Sequence, residues 1–105
     1  LIIGYAPCEM HGVKGGMQNC QLEMKKAVEA GYWTMFRYNP TLAENKLTID
    51  SKAPTADYVE FIKSENRYAR LAQTNPERAA ELFEKAKANA AAKYERLGKM
   101  TELYK

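Results

Sequence analysis

The chain has 105 residues, which suffices for one domain with a single core but not for an enzyme that carries its own cofactor domains. Sixteen Lys and Arg residues stand against thirteen Asp and Glu residues, and the two signs are interleaved rather than gathered on one stripe, which argues against nucleic-acid binding. No apolar run approaches the roughly 20 residues of a membrane helix, so no membrane partner is expected.

The first stretch, Leu1 to Ala6, is a continuous apolar run that is typical of a strand covered on both faces, and Pro7 ends it. Cys8 therefore follows the carboxyl end of a predicted strand, where ligands collect in open α/β sheets. The sequence has no initiator methionine and opens inside this predicted strand. We therefore expect it to be a segment of a longer polypeptide.

A loop with glycines at positions 12, 15 and 16 follows, and it leads into a predicted helix from about Gln18 to Ala30, with Gly31 as the stop. Such a loop can hold a phosphate through free amides at the start of a helix. The letters GVKGG lack both the Lys-Ser/Thr pair of the P-loop and the dinucleotide-binding spacing. An ordinary strand-to-helix loop is the favoured interpretation, and a small anion-binding α/β module is the alternative.

The aromatic run from Tyr32 to Tyr38 predicts a second strand, which Asn39 and Pro40 end. Strand, helix and strand make a βαβ unit with parallel strands and a right-handed crossover. Cys8 and Asn39 are then expected on one rim. Residues 47–50 fit either a brief edge strand or an extended loop.

Two helices are predicted after Pro54. The first has Thr55 as its N-cap and reaches about Thr74. The second starts at Asn75-Pro76-Glu77, and Gly98 ends or frays it. Together they predict an antiparallel hairpin with a structural role.

Cys8 is the main candidate for chemistry, as a nucleophile, as a metal or cluster ligand, or as a small buried residue. The neighbouring proline and the following glycines favour a sulfur that is presented rather than hidden. His11 is placed to hydrogen-bond a thiolate or a bound group, whereas Cys20 is interpreted as structural. With two cysteines, one histidine and no secretory signal, we expect a reducing compartment and no closed zinc site without outside ligands.

Several motifs together resemble one family, the pyruvate:ferredoxin (flavodoxin) oxidoreductases, in its C-terminal part. They are Tyr5-Ala6-Pro7-Cys8 with His11-Gly12, then Gly31-Tyr32-Trp33, then Phe36-Arg37-Tyr38-Asn39-Pro40, and then Asp50-Ser51-Lys52-Ala53-Pro54. The resemblance extends to at least Asn75. It implies that residues 1–52 are the closing βαβ portion of a thiamin-diphosphate-binding domain and that residues 53–105 are a helical tail.

The resemblance also implies a role for Cys8, as the fourth thiolate of the 4Fe-4S cluster nearest thiamin diphosphate, with the other three cysteines in an earlier segment. In that family pyruvate loses carbon dioxide on the thiamin cofactor, coenzyme A takes the acetyl group, and electrons pass singly through the clusters to ferredoxin or flavodoxin. The family is dimeric, and we expect a cytoplasmic location.

Two departures from the family pattern limit what this chain is expected to do. Cys20 stands where a serine-like cap is expected, and the acidic-glycine motif that binds thiamin diphosphate through magnesium is absent from these residues. We therefore expect no catalytic residue and no cofactor contact beyond Cys8, and we expect the isolated chain to be inactive. A structural segment whose helical tail grips a partner subunit is the alternative.

Overall fold

The computed structural model describes residues 1–105, which form four helices and two short strands. In chain order these are α1 (Cys20–Glu29), β1 (Phe36–Tyr38), β2 (Leu47–Ile49), α2 (Tyr58–Lys63), α3 (Asn66–Thr74) and α4 (Pro76–Leu103). No helix combines the length and the apolar content needed to cross a membrane. The α/β class is confirmed in its broad sense only.

The predicted first strand is wrong, because Leu1 to Ala6 belongs to neither strand of the sheet. Ile2 and Ile3 are 97% and 67% exposed. A strand needs a neighbour for its ladder of hydrogen bonds, and no segment of residues 1–105 pairs with this one. The parallel βαβ unit, and with it the rim expected for Cys8 and Asn39, is therefore not formed by these residues.

The sheet is an antiparallel pair in which Phe36 faces Ile49 and Tyr38 faces Leu47. The edge-strand interpretation of residues 47–50 is thus confirmed, but only the last three residues of the predicted strand 32–38 are in the sheet. Tyr32 continues from α1 instead: its main-chain amide donates to the Ala27 carbonyl at 2.9 Å. Its ring then packs against the core.

Helix α1 confirms the prediction for residues 18–30 to within two residues at its start, after a single 3-10 turn at Met17–Asn19. Gly31 stops it with φ 81°, a left-handed conformation that glycine adopts without strain. The chain then turns back towards the sheet.

The helix predicted from Thr55 to Thr74 is divided into α2 and α3. Asp57, rather than Thr55, caps α2, and its Oδ1 accepts hydrogen bonds from the amides of the first turn. The break falls at Ser64 and Glu65 because Glu65 forms an isolated β-bridge with Val13, far upstream in the chain. Sequence periodicity carries no signal for such a long-range pairing.

Helix α4 begins as predicted, with Asn75 as N-cap and Pro76 in its first turn. The prediction that Gly98 ends or frays it is wrong, since α4 continues through Gly98 to Leu103. Beyond it, the rings of Tyr104 and Tyr38 meet edge to face, with their centroids 5.3 Å apart. The Tyr104 carbonyl accepts a hydrogen bond from the Lys46 amide at 3.0 Å. The helix thus passes through an interior glycine, which costs about 1 kcal/mol relative to alanine, and its end is held against the sheet.

The core combines side chains from the first and second halves of the chain. Its buried members are Ala27 of α1, Ala30 directly after that helix, Phe61 and Ile62 of α2, and Ala79 and Phe83 of α4. Partly buried aromatic rings surround it, namely Tyr5, Tyr32, Trp33, Tyr58 and Tyr68. This packing fixes the junction of α2 and α3, against which the loop of residues 8–16 lies.

Candidate functional site

Cys8 begins a tight turn, in which the Gly12 amide donates to the Cys8 carbonyl at 2.8 Å. Its side chain is partly exposed, and Sγ lies 3.1 Å from Nδ1 of His11. The thiol is thus not enclosed in apolar packing. The contact expected between Cys8 and His11 is present.

Hydrogen bonds to the sulfur stabilise its charged form. The main-chain amide of His11, and then its imidazole, lower the pKa of the Cys8 thiol from 9.0 to about 7. A larger share of this thiol is therefore thiolate at neutral pH than for an ordinary cysteine. Thiolate is the form that attacks electrophiles and binds metals, so the turn favours the reactive state.

Arg67 adds a positive charge near this turn. Desolvation is the largest single effect and lowers the pKa of the guanidinium. Several smaller attractions, led by those to Cys8 and Glu65, together raise the pKa of Arg67. Arg67 is itself exposed, and solvent therefore screens the interaction.

Three hydrogen bonds hold the loop of residues 11–14 on the α2–α3 junction. The Lys14 amide donates to the Ser64 carbonyl at 2.7 Å, and the Asn66 amide donates to the Gly12 carbonyl at 3.1 Å. The side-chain Nδ2 of Asn66 donates to the His11 carbonyl at 3.0 Å. The turn that carries Cys8 is therefore tied to the start of a helix.

The segment before Cys8 is tied to the same junction. The Tyr5 hydroxyl donates to Oε1 of Glu65, whose residue is only 3% exposed. Burial, and then the hydrogen bond to Glu65, raise the pKa of Tyr5, so the hydroxyl keeps its proton and remains a donor. The Tyr5 ring also stacks on Trp33 with centroids 6.0 Å apart.

A second buried carboxylate joins α1 to the junction. Glu23 is 3% exposed and accepts a hydrogen bond from the Ser64 hydroxyl. Ser64, Glu65 and Asn66 thus connect three separate segments of the chain. Sequence reasoning missed all three, although a run of Ser, Glu and Asn inside an apolar helical pattern is itself a signal for a break.

The metal-ligating side chains of this chain do not come together in one cluster. No group of three or more His, Cys, Asp or Glu side chains is placed to hold a metal ion. Cys20 is a free thiol at the start of α1, and Cys8 is the other one. Within this chain, only the Cys8 thiol is both accessible and held by neighbouring hydrogen-bond donors.

The glycine-rich loop is less suited to an anion than its sequence indicates. The Gly16 amide donates to the Val13 carbonyl at 3.0 Å, and the Asn19 amide donates to the Gly16 carbonyl at 3.1 Å. An anion at this helix start needs amides that are free. Two of them are already used within the loop.

No protein-family model matches the chain. Among curated proteins, it is 49% identical over 105 residues to a pyruvate:ferredoxin oxidoreductase of Moorella thermoacetica, in a match that covers 97% of this chain and 9% of that protein. It is 43% identical over 97 residues to a pyruvate-flavodoxin oxidoreductase of Klebsiella pneumoniae, covering 90% of this chain and 8% of the relative. The chain belongs to the pyruvate:ferredoxin/flavodoxin oxidoreductase family.

The chain spans less than a tenth of the length of these oxidoreductases, so it corresponds to a small part of one. A third relative, the mitochondrial pyruvate dehydrogenase [NADP(+)] of Euglena gracilis, is 36% identical over 105 residues, which cover 97% of this chain and 6% of the relative. The names of the relatives thus include ferredoxin, flavodoxin and NADP(+). Membership of the family does not by itself select one electron acceptor.

Proposed function

We propose that this chain is the C-terminal part of a pyruvate:ferredoxin or pyruvate:flavodoxin oxidoreductase, in which Cys8 supplies one thiolate to the 4Fe-4S cluster nearest thiamin diphosphate. The observation that carries the proposal is the state of one thiol. Cys8 is accessible, its Sγ lies 3.1 Å from His11, and the pKa of the thiol is lowered to about 7. A cluster ligand must be both reachable and readily deprotonated.

The Cys8 turn suits iron binding in two further respects. The hydrogen bonds to Ser64 and Asn66 already hold the turn in one conformation, so less conformational entropy is lost when the sulfur binds iron. The N–H groups of His11 near the sulfur are of the kind that tune the reduction potential of a bound cluster. When bound, such a cluster accepts and passes on electrons one at a time. This chain's own contribution is to present, deprotonate and orient one sulfur.

The other parts of the proposal concern the whole enzyme. Residues 1–52 complete the thiamin-diphosphate-binding domain, and residues 53–105 form its helical tail. Thiamin diphosphate and magnesium are held by residues outside this chain. The complete enzyme acts on pyruvate and coenzyme A, passes electrons to ferredoxin or flavodoxin, and is a cytoplasmic homodimer. The isolated chain is inactive, because one thiolate cannot assemble the cluster.

A second function, as a segment that holds subunits or domains together, is favoured by the exposed apolar run before Cys8. Leu1, Ile2 and Ile3 are highly exposed and leave main-chain hydrogen-bonding groups unpaired. Such an edge pairs readily with another chain. Light scattering on the isolated chain tests this: self-association at rising concentration supports edge pairing, and a monomer throughout contradicts it.

The cluster-ligand role is tested in the full-length enzyme by Cys8→Ser, with Cys20→Ser as the matched control. Both variants replace a partly exposed, free cysteine of the same chain by serine. We expect Cys8→Ser to lower the iron content and to remove or alter the reduction signal of one cluster, whereas Cys20→Ser leaves both unchanged. Equal iron content and equal signals in the two variants contradict the role.

A further inference from the structure

We propose that Asn66 is the positioning residue of the cluster-ligand turn, fixing residues 8–12 through the paired hydrogen bonds that it donates to the carbonyls of His11 and Gly12. The inference rests on the role proposed for Cys8. Asn66 touches neither the sulfur nor any reacting atom, and it acts through the turn.

The geometry of the two bonds supports this role. The main-chain amide of Asn66 reaches the Gly12 carbonyl at 3.1 Å, and its Nδ2 reaches the His11 carbonyl at 3.0 Å. One residue therefore holds two consecutive carbonyls, which fixes the orientation of the peptide between them. Nδ1 of His11 lies 3.1 Å from the Cys8 sulfur, so the orientation of His11 decides how that sulfur is held.

The space around the turn is matched to Asn66. Gly12 has φ 78°, and a Cβ added there would lie 3.1 Å from Nδ2 of Asn66. The carbonyls of the turn thus approach Asn66 closely because residue 12 has no side chain. A side chain at residue 12 would force Nδ2 of Asn66 to shift by a few tenths of an ångström.

Asn66 can be substituted without disturbing helix α3 or the core. Asn66 is the first residue of the helix and is exposed, so its side chain is not part of the core. Alanine favours helix formation, and aspartate in a first turn interacts well with the helix dipole. Both replacements keep the helix and both remove the Nδ2 donor.

The test uses the full-length enzyme with Asn66→Ala, and with Gln73→Ala as the control, which removes an exposed amide from the far end of the same helix. Hydrogen exchange measured by mass spectrometry on the peptide that contains residues 8–16 is the first readout. Loss of one neutral hydrogen bond predicts exchange about fivefold faster in Asn66→Ala. The cluster's reduction potential is the second readout and is expected to shift in Asn66→Ala alone, with the iron content retained.

The outcomes separate this inference from the proposed function. If Asn66→Ala exchanges like the control and keeps the same potential, the positioning role is overturned, whatever Cys8→Ser shows. If Cys8→Ser leaves the cluster unchanged while Asn66→Ala still speeds exchange, the turn is positioned as argued but the ligand role fails. If Asn66→Ala does not fold, Asn66→Asp is measured by exchange, and the same fivefold increase is expected.

Discussion

The buried bond between Tyr5 and Glu65 makes a sharp prediction for the stability of the 105-residue chain. In Tyr5→Phe the ring and its packing on Trp33 remain, and only the hydroxyl is lost. That hydroxyl is the one side-chain donor to the Glu65 carboxylate, which is 3% exposed. Leaving a buried charged acceptor without its donor costs about 2 kcal/mol of the free energy of unfolding.

Tyr32→Phe is the matched control, because it removes a hydroxyl that hydrogen-bonds to a neutral partner. The hydroxyl oxygens of Tyr32 and Tyr68 lie 2.9 Å apart and are partly buried, so the partner of Tyr32 is a neutral hydroxyl and not a carboxylate. The loss of such a neutral bond costs about 1 kcal/mol or less. The two substitutions therefore remove the same atom from the same type of ring and differ only in the partner left behind.

Urea unfolding followed by far-ultraviolet circular dichroism measures both variants. We expect Tyr5→Phe to be the more destabilising by about 1 kcal/mol. A double-mutant cycle with Glu65→Gln extends the test, because a neutral partner lowers the cost of Tyr5→Phe to that of Tyr32→Phe. The prediction is wrong if Tyr5→Phe and Tyr32→Phe lower the free energy of unfolding equally, or if Tyr5→Phe costs as much in the Glu65→Gln background as in the wild type.

Three further predictions concern the thiol, the glycines and the core. The rate of Cys8 alkylation should rise with pH around a midpoint near 7, since the pKa of the thiol is lowered to about 7. His11→Ala should raise this midpoint only part of the way to 9.0, because the main-chain amide of residue 11, which the substitution keeps, is the largest cause of the lowered pKa. Thermal unfolding should show that Gly98→Ala stabilises the chain by about 0.5–1 kcal/mol, because position 98 is helical and has free space around it. Gly31→Ala should destabilise the chain, because φ at position 31 is 81° and an added Cβ would lie 2.7 Å from the ring of Pro54. Ile62→Ala should lose about 2–5 kcal/mol in urea unfolding, since Ile62 is 1% exposed, and a loss below 1 kcal/mol would contradict the assigned core.

Local signals predicted those elements that local chemistry determines. Helix α1 was predictable because Gly31 stops it, and the start of α4 because Asn75 caps it before a proline. The extent of α4 was not predictable, because contacts of Tyr104 with the sheet carry the helix past Gly98.

The features that could not be predicted from the sequence depend on pairing between distant segments. The apolar run Leu1 to Ala6 reads as a covered strand, yet its pairing partner is not among these residues. The break between α2 and α3 depends on a bridge from Glu65 to Val13. Both features need knowledge of which distant segments meet.

The candidate site was predicted in part for the same reason. Cys8 and His11 are close in sequence, so their contact followed from spacing, and the exposure of the thiol agreed with its flanking proline and glycines. Asn66 and Glu65 support the turn from far along the chain, and no local pattern links them to Cys8. The ligand role of Cys8 stays a prediction.

An experimental structure of the full-length oxidoreductase with its clusters in place will show whether Cys8 binds iron. We expect continuous density from the Cys8 sulfur to an iron atom of the 4Fe-4S cluster nearest thiamin diphosphate. A cluster whose four thiolates all come from other cysteines, with the Cys8 sulfur bound to no iron, would contradict it.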